Sequence, residues 1–188
     1  THRVNGVFVH FSTDYVFDGK KRRGYKEDDH PIPINNYGRS KLFGEQSTQN
    51  STNKFYIIRM SRLFGNPGKS EHSKKSFVDI MLDIAKEKNE LSMVNDEINS
   101  PTYAKDVAKP LENILAKGLP FGTYHITNIG QCSWYEFATE IFSLCKKLDP
   151  RLKTPIIKQV TSNEFRRKSM RPKFSVLLNT KLPPLRNW

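Results

Sequence analysis

Two hydrophobic periods take turns along the chain. Short apolar runs such as Val7-Phe8-Val9 and Tyr56-Ile57-Ile58 read as buried strands, and strand-like stretches occupy residues 6–11, 54–60, 91–94, 123–127 and 155–160. Between them, apolar residues recur at helical spacing over 37–49, 76–88, 104–117 and 133–147. This alternation predicts an α/β fold with a mainly parallel sheet. The last helix is the best marked. Ser133-Trp134-Tyr135-Glu136 forms a capping box, and Trp134, Phe137, Ala138, Ile141, Phe142 and Cys145 share one face that belongs in a core. Pro110 falls inside 104–117 and removes a backbone donor, so that helix is expected to start or kink there. Residues 66–76, rich in Gly, Pro, Ser and Lys, read as a mobile surface loop.

Composition narrows the class. A chain of 188 residues with 36% hydrophobic and 27% charged residues can bury the core of one domain, or of a domain plus part of another. It has no apolar stretch near the roughly 20 residues of a membrane span, and its first residues lack the apolar core of a signal peptide, so a cytoplasmic location is expected. The formal charge of +12 favours polyanions. Its clusters at 20–23, 74–75 and 166–168 are scattered over turn-like segments without any nucleic-acid-binding motif. The expectation is a diphosphate-bearing small molecule, not nucleic acid. Cys132 and Cys145 lack CxxC spacing and read as free thiols with no metal. Glu27, Asp28, Asp29 and His30, before Pro31, read as a solvated turn, and the lone histidines His10, His72 and His125 receive no role.

Candidate chemistry lies near the start. Ser12-Thr13-Asp14 follows the first strand, at the carboxyl end where open α/β sheets bind ligands. Tyr37 and Lys41 stand four apart on the next helix, which puts them on one face with Cβ atoms about 5–6 Å apart. An ammonium beside a phenol favours the phenolate, which makes a tyrosine a usable proton donor near neutral pH. A nucleotide-binding α/β enzyme also calls for a Gly-rich turn between strand and helix, and no GxGxxG occurs. Gly65-Asn66-Pro67-Gly68 is a turn whose proline removes a donor. The chain is therefore expected to begin partway through a larger domain.

Five ordered blocks extend these residues into a longer pattern. They are Ser12-Thr13-Asp14-Tyr15-Val16-Phe17-Asp18-Gly19, Tyr37-Gly38-Arg39-Ser40-Lys41-Leu42-Phe43-Gly44-Glu45, Asn95-Asp96-Glu97-Ile98-Asn99-Ser100-Pro101-Thr102-Tyr103-Ala104, Ser133-Trp134-Tyr135-Glu136-Phe137-Ala138, and Arg171-Pro172-Lys173-Phe174-Ser175-Val176-Leu177. The pattern resembles the extended short-chain dehydrogenase/reductases, most closely the dTDP-4-dehydrorhamnose reductases. The resemblance implies the rest of a Rossmann-like parallel sheet over residues 1–65, and a smaller substrate-binding lobe over 66–188 intermixed with the last Rossmann elements. It implies reduction of a 4-keto group on dTDP-4-dehydro-β-L-rhamnose by NADPH or NADH. Thr13 would hydrogen-bond the reacting oxygen, Tyr37 would donate the proton, and Lys41 would hold the nicotinamide ribose. Phe11 would line the cofactor together with Tyr37 and Lys41. Thr13, Asp14, Arg62 and Arg171 would contact the substrate. Arg62 stands where family members carry a tryptophan against the sugar, which keeps a sister reductase or epimerase on another nucleotide sugar open. A non-catalytic regulatory subunit is a further alternative. No nucleic-acid or membrane partner is implied, and a homodimer is compatible.

Overall fold

The computed structural model describes residues 4–66, 68, 70, 73–165 and 167–188. His72, Arg166 and Pro67 of the sequence reading lie outside them. The first sheet is wholly parallel, in the order β1 (Phe8–Thr13), β2 (Phe55–Met60), β6 (Gly122–His125). Tyr56, Ile57 and Ile58 make β2 its apolar centre, buried on both faces. Helix α3 (Ala104–Ala116) covers one face, where Val107 and Ile114 meet Tyr56, Ile58, Tyr124 and Ile126. Helix α1 (Asn36–Ser51) covers the other.

A second apolar cluster has its own frame. Strands β4 (Glu90–Val94) and β7 (Ile156–Val160) pair in parallel, and α2 (Phe77–Glu87) and α4 (Trp134–Leu148) pack Met81, Ala85, Phe137, Ala138, Ile141 and Phe142 around Met93. The two-residue strands β3 (Leu63–Phe64) and β5 (Thr102–Tyr103) make a third parallel pair. The C-terminal segment crosses back over both the start and the middle of the chain, bridging Tyr25 with Leu177 and Ile98 with Phe174.

The α/β alternation and parallel pairing agree with the sequence pattern. Four readings need correction. The first strand begins and ends two residues later than expected, so Ser12 and Thr13 are its last residues. It is also an edge strand with Val7, Phe8 and Phe11 exposed, because no strand pairs with its outer side among the described residues. Pro110 neither starts nor ends α3, which runs on from Ala104 to Ala116. The proline costs one bond, to the carbonyl of Asp106, and the buried Val107 and Ile114 on either side hold the helix on the sheet. Finally, Glu27 is not part of a solvated turn. It is buried, and its carboxylate accepts from the backbone of His125 and from both the backbone and hydroxyl of Thr180.

Candidate active site

Strand β1 ends in a short 3-10 turn, Asp14–Val16, that folds its last polar residues inward. Thr13 and Asp14 are both buried. Thr13 Oγ1 donates to Asp14 Oδ1 at 3.1 Å and accepts from the backbone of Tyr15, while Ser175 Oγ donates to Asp14 Oδ2 at 2.5 Å. Burial raises the carboxyl pKa of Asp14 against the opposing effect of these hydrogen bonds. Burial likewise pushes the neighbouring Tyr15 phenol up to about 12.

Helix α1 brings the other two residues to the same strand end. Asn35 caps it by accepting from Gly38 N at 2.8 Å, while its own amide donates to the Met170 carbonyl. Gly38 allows the close approach: a Cβ there would stand 2.1 Å from the Tyr15 carbonyl oxygen. Tyr37 keeps its phenol in the open, 54% exposed, with its ring edge-on to Tyr15 at 5.8 Å. One turn on, Lys41 Nζ donates to the Phe11 carbonyl at 2.7 Å, which fixes the ammonium at the strand end. Phe11, 46% exposed, lies beside it. Thr13, Asp14, Phe11, Tyr37 and Lys41 are therefore gathered around one strand terminus.

The remaining two candidates sit differently. Arg62 does not project into open space. It adopts a left-handed φ of 40°, lays its guanidinium 3.9 Å from the ring centroid of Trp134, and donates to the carbonyls of Cys132, Ser133 and Glu97. Burial lowers its pKa, and its charge acts on both Asp14 and Tyr15. It underlies the site: its two Nη atoms donate to backbone carbonyls, while its buried Nε has no hydrogen-bond partner among the described residues. Arg171 is exposed on a cleft of about 570 Å³ lined also by Lys20, Phe165, Arg167, Met170 and Lys173. Arg167 pairs with Glu97 and Lys173 with Asp96, whereas Lys20 and Arg171 have no carboxylate within ion-pair distance among the described residues.

Sequence reasoning named Ser12, Glu45 and Ser175 only as parts of longer runs and did not single out Arg59, so their role as supports of this site was missed. Glu45 could have been found by following the face of Tyr37 and Lys41 one more turn, to i+8.

The comparisons bear on the family and the fold. The family described as RmlD substrate binding domain matches residues 1–186. The chain belongs to that family. Within it, the chain is similar to the spore coat polysaccharide biosynthesis protein SpsK of Bacillus subtilis, 42% identical over 93% of this chain and 57% of that protein. It is 39% identical to a dTDP-4-dehydrorhamnose reductase of Burkholderia thailandensis, over 75% of this chain and 48% of the relative. Among solved structures it superposes on the dTDP-4-dehydrorhamnose reductase of Bacillus anthracis in complex with NADP, with a TM-score of 0.89 and 37% identity over 99% of this chain and 63% of that one. The chain thus spans about half to three fifths of the length of these RmlD-family relatives. Among its described residues no helix is long and apolar enough to cross a membrane.

Proposed function

We propose that the protein containing this chain reduces the 4-keto group of a dTDP-linked 6-deoxysugar, dTDP-4-dehydro-β-L-rhamnose, to the alcohol in the synthesis of cell-surface polysaccharide. The observation that carries the proposal is the meeting of Tyr37, Lys41 and Thr13 at the carboxyl end of β1. The reading divides the chain into a Rossmann-like part over 1–65 and a substrate lobe over 66–188, intermixed with the last Rossmann elements. It places the reaction in the cytoplasm.

The residues present fit the nicotinamide riboside end of a dinucleotide. An exposed phenyl ring at Phe11, an ammonium pinned by the Phe11 carbonyl and an open phenol at Tyr37 offer an apolar surface, a cation and a proton donor at one strand end. These are the groups a nicotinamide riboside would use. NADPH or NADH supplies the hydride when bound.

The chain's own residues handle the oxygen. As the C=O π bond opens and a C–H bond forms, negative charge gathers on the carbonyl oxygen, and Tyr37 delivers its phenolic proton there to form the alcohol. Thr13 gives the second hydrogen bond by turning its hydroxyl from Asp14 to the substrate oxygen. The Lys41 ammonium balances the phenolate charge left on Tyr37 after proton transfer and would orient the ribose. Asp14, held from the far side by Ser175, keeps the strand end in shape for the sugar. Arg171 and Lys20, with no carboxylate in ion-pair distance among the described residues, face the cleft that would take the diphosphate.

The experiment is Tyr37→Phe in the full-length protein. It is expected to lower kcat by about 100-fold or more, with KM for the nucleotide sugar nearly unchanged. Turnover close to that of the parent would remove Tyr37 from the chemistry and the reading with it.

A further inference from the structure

Helix α1 carries a buried carboxylate that the proposed chemistry does not use. Glu45 is 1% exposed. Its Oε1 accepts from Ser12 Oγ at 2.5 Å and from Arg59 Nε at 2.9 Å, and its Oε2 accepts from Arg59 Nη2 at 2.6 Å. Ser12 and Arg59 are register partners on β1 and β2, and Arg59 is in turn the register partner of His125 on β6. A single helix residue therefore grips two strands of the sheet.

Its position along the helix gives the contact meaning. Tyr37, Lys41 and Glu45 stand at i, i+4 and i+8, all on one face. On the strand side, Phe11 receives Lys41, Ser12 binds Glu45, and Thr13 comes next. Gly38 and Gly44 bring the same face close, since a Cβ at Gly44 would stand 2.8 Å from the His10 ring. The face has almost no apolar stripe to set its depth or rotation. A buried ion pair is weak evidence for stability, and an apolar pair of like volume often serves as well. What a bidentate, hydrogen-bonded carboxylate adds is direction.

We propose that Glu45 is a positioning residue for the reduction: through Ser12 and Arg59 it fixes the rotation and register of α1 on the sheet, and so the approach of Tyr37 to Thr13. The proposal rests on the reductase reading above. A slip of α1 along or about its axis moves Tyr37 relative to Thr13, and a misplacement of about 1 Å can cost on the order of 100-fold in rate.

The test uses the full-length protein with NADPH and the 4-keto nucleotide sugar. Glu45→Leu alone leaves the Arg59 cation buried and unpaired, and is expected to lower the melting temperature sharply. The double variant Glu45→Leu/Arg59→Met removes that charge and is expected to regain most of the thermal stability, yet to retain a kcat at least about 10-fold below the parent with KM within about twofold. Parental kcat in a double variant that melts like the parent overturns the proposal. If the double variant does not fold, Ser12→Ala decides, because it keeps the ion pair and removes only the link to β1. A severalfold lower kcat at constant KM is expected, and parental kcat overturns the proposal. Failure of the reductase reading is distinguishable. In that case Tyr37→Phe turns over like the parent, whereas failure of the present proposal leaves Tyr37→Phe impaired and the Glu45 and Ser12 variants active.

Discussion

Helices α1 and α4 are nearly equal in length, 16 and 15 residues, yet they are held to the protein by opposite means. Helix α4 buries Phe137, Ala138, Ile141 and Phe142 in a continuous apolar cluster, and a capping box at Ser133 and Glu136 closes its start. Helix α1 buries Gly38, Glu45 and Thr48, while its aromatic residues Tyr37 and Phe43 face outward. Apolar packing tolerates small slips, since many near-equivalent contacts replace one another. Hydrogen bonds to a buried carboxylate do not, because each lost partner leaves a polar group without water. The helix that only has to be present is greasy, and the helix that carries the proposed proton donor is docked by direction.

That contrast can be broken at several points. The largest effect on stability is expected in the apolar cluster. Phe137→Ala should cost about 3–5 kcal/mol in chemical denaturation, while the folded fraction keeps its kcat per active molecule. A matching loss of kcat would mean that α4 also positions the site.

The polar side should respond to acid where the apolar side does not. Burial holds the fully buried His125 down to about 4 from its ordinary 6.5, with the nearby Glu27 opposing the shift. Between those values the unfolded chain binds a proton that the folded chain refuses. Stability from this group is therefore present above about pH 6.5 and is lost as pH falls toward about 4, by up to about 3 kcal/mol. Glu27 adds to the trend: burial would raise its pKa, but the hydrogen bond from the Thr180 hydroxyl holds it below the ordinary value, and that stability too is lost in acid. Burial raises Asp14, which acts in the opposite sense. Denaturation of the parent and of His125→Gln from pH 7 to pH 4 should give a clearly shallower slope in the variant; equal slopes would refute the assignment.

A methyl group is the next probe. Gly38→Ala forces a Cβ against the Tyr15 carbonyl, at a cost of about 1–3 kcal/mol. Its effect on rate should be out of proportion, on the order of 100-fold in kcat, because the helix start that carries Tyr37 must lift. Ser133→Ala, the smallest change, removes the α4 cap and should lower stability by about 1–2 kcal/mol with kcat intact.

The two helices also differ in how plainly the sequence announces them. The capping box and apolar face of α4 are readable because burial there follows hydrophobicity, and β2 stands out for the same reason at Tyr56, Ile57 and Ile58. Tyr37 and Lys41 were legible as a spacing and as part of a family pattern. Their supports were not. Glu45, Arg59 and Glu27 are buried charges, and a reading that assigns charge to solvent must misplace them. Glu27 in particular gains its partner, Thr180, from 153 positions away. Arg62 was expected at the substrate because it stands where family members carry a tryptophan against the sugar, but the left-handed turn and the ring of Trp134 draw it inward. The pairs β3 and β5, two residues each, are too short for any period to show.

The hydrogen bond from Ser175 to Asp14 joins residues 161 positions apart. At a ribosomal pace of about 5–20 residues per second, roughly 8–30 s pass between the making of the two. Through that interval the nascent strand end holds a carboxyl group whose burial awaits the arriving C-terminal segment. A translation product ending before residue 175 would carry Thr13, Tyr37 and Lys41 and still lack the contact that closes over Asp14. Closure over Asp14 is thereby tied to the arrival of residue 175, whatever else of the strand end has already formed.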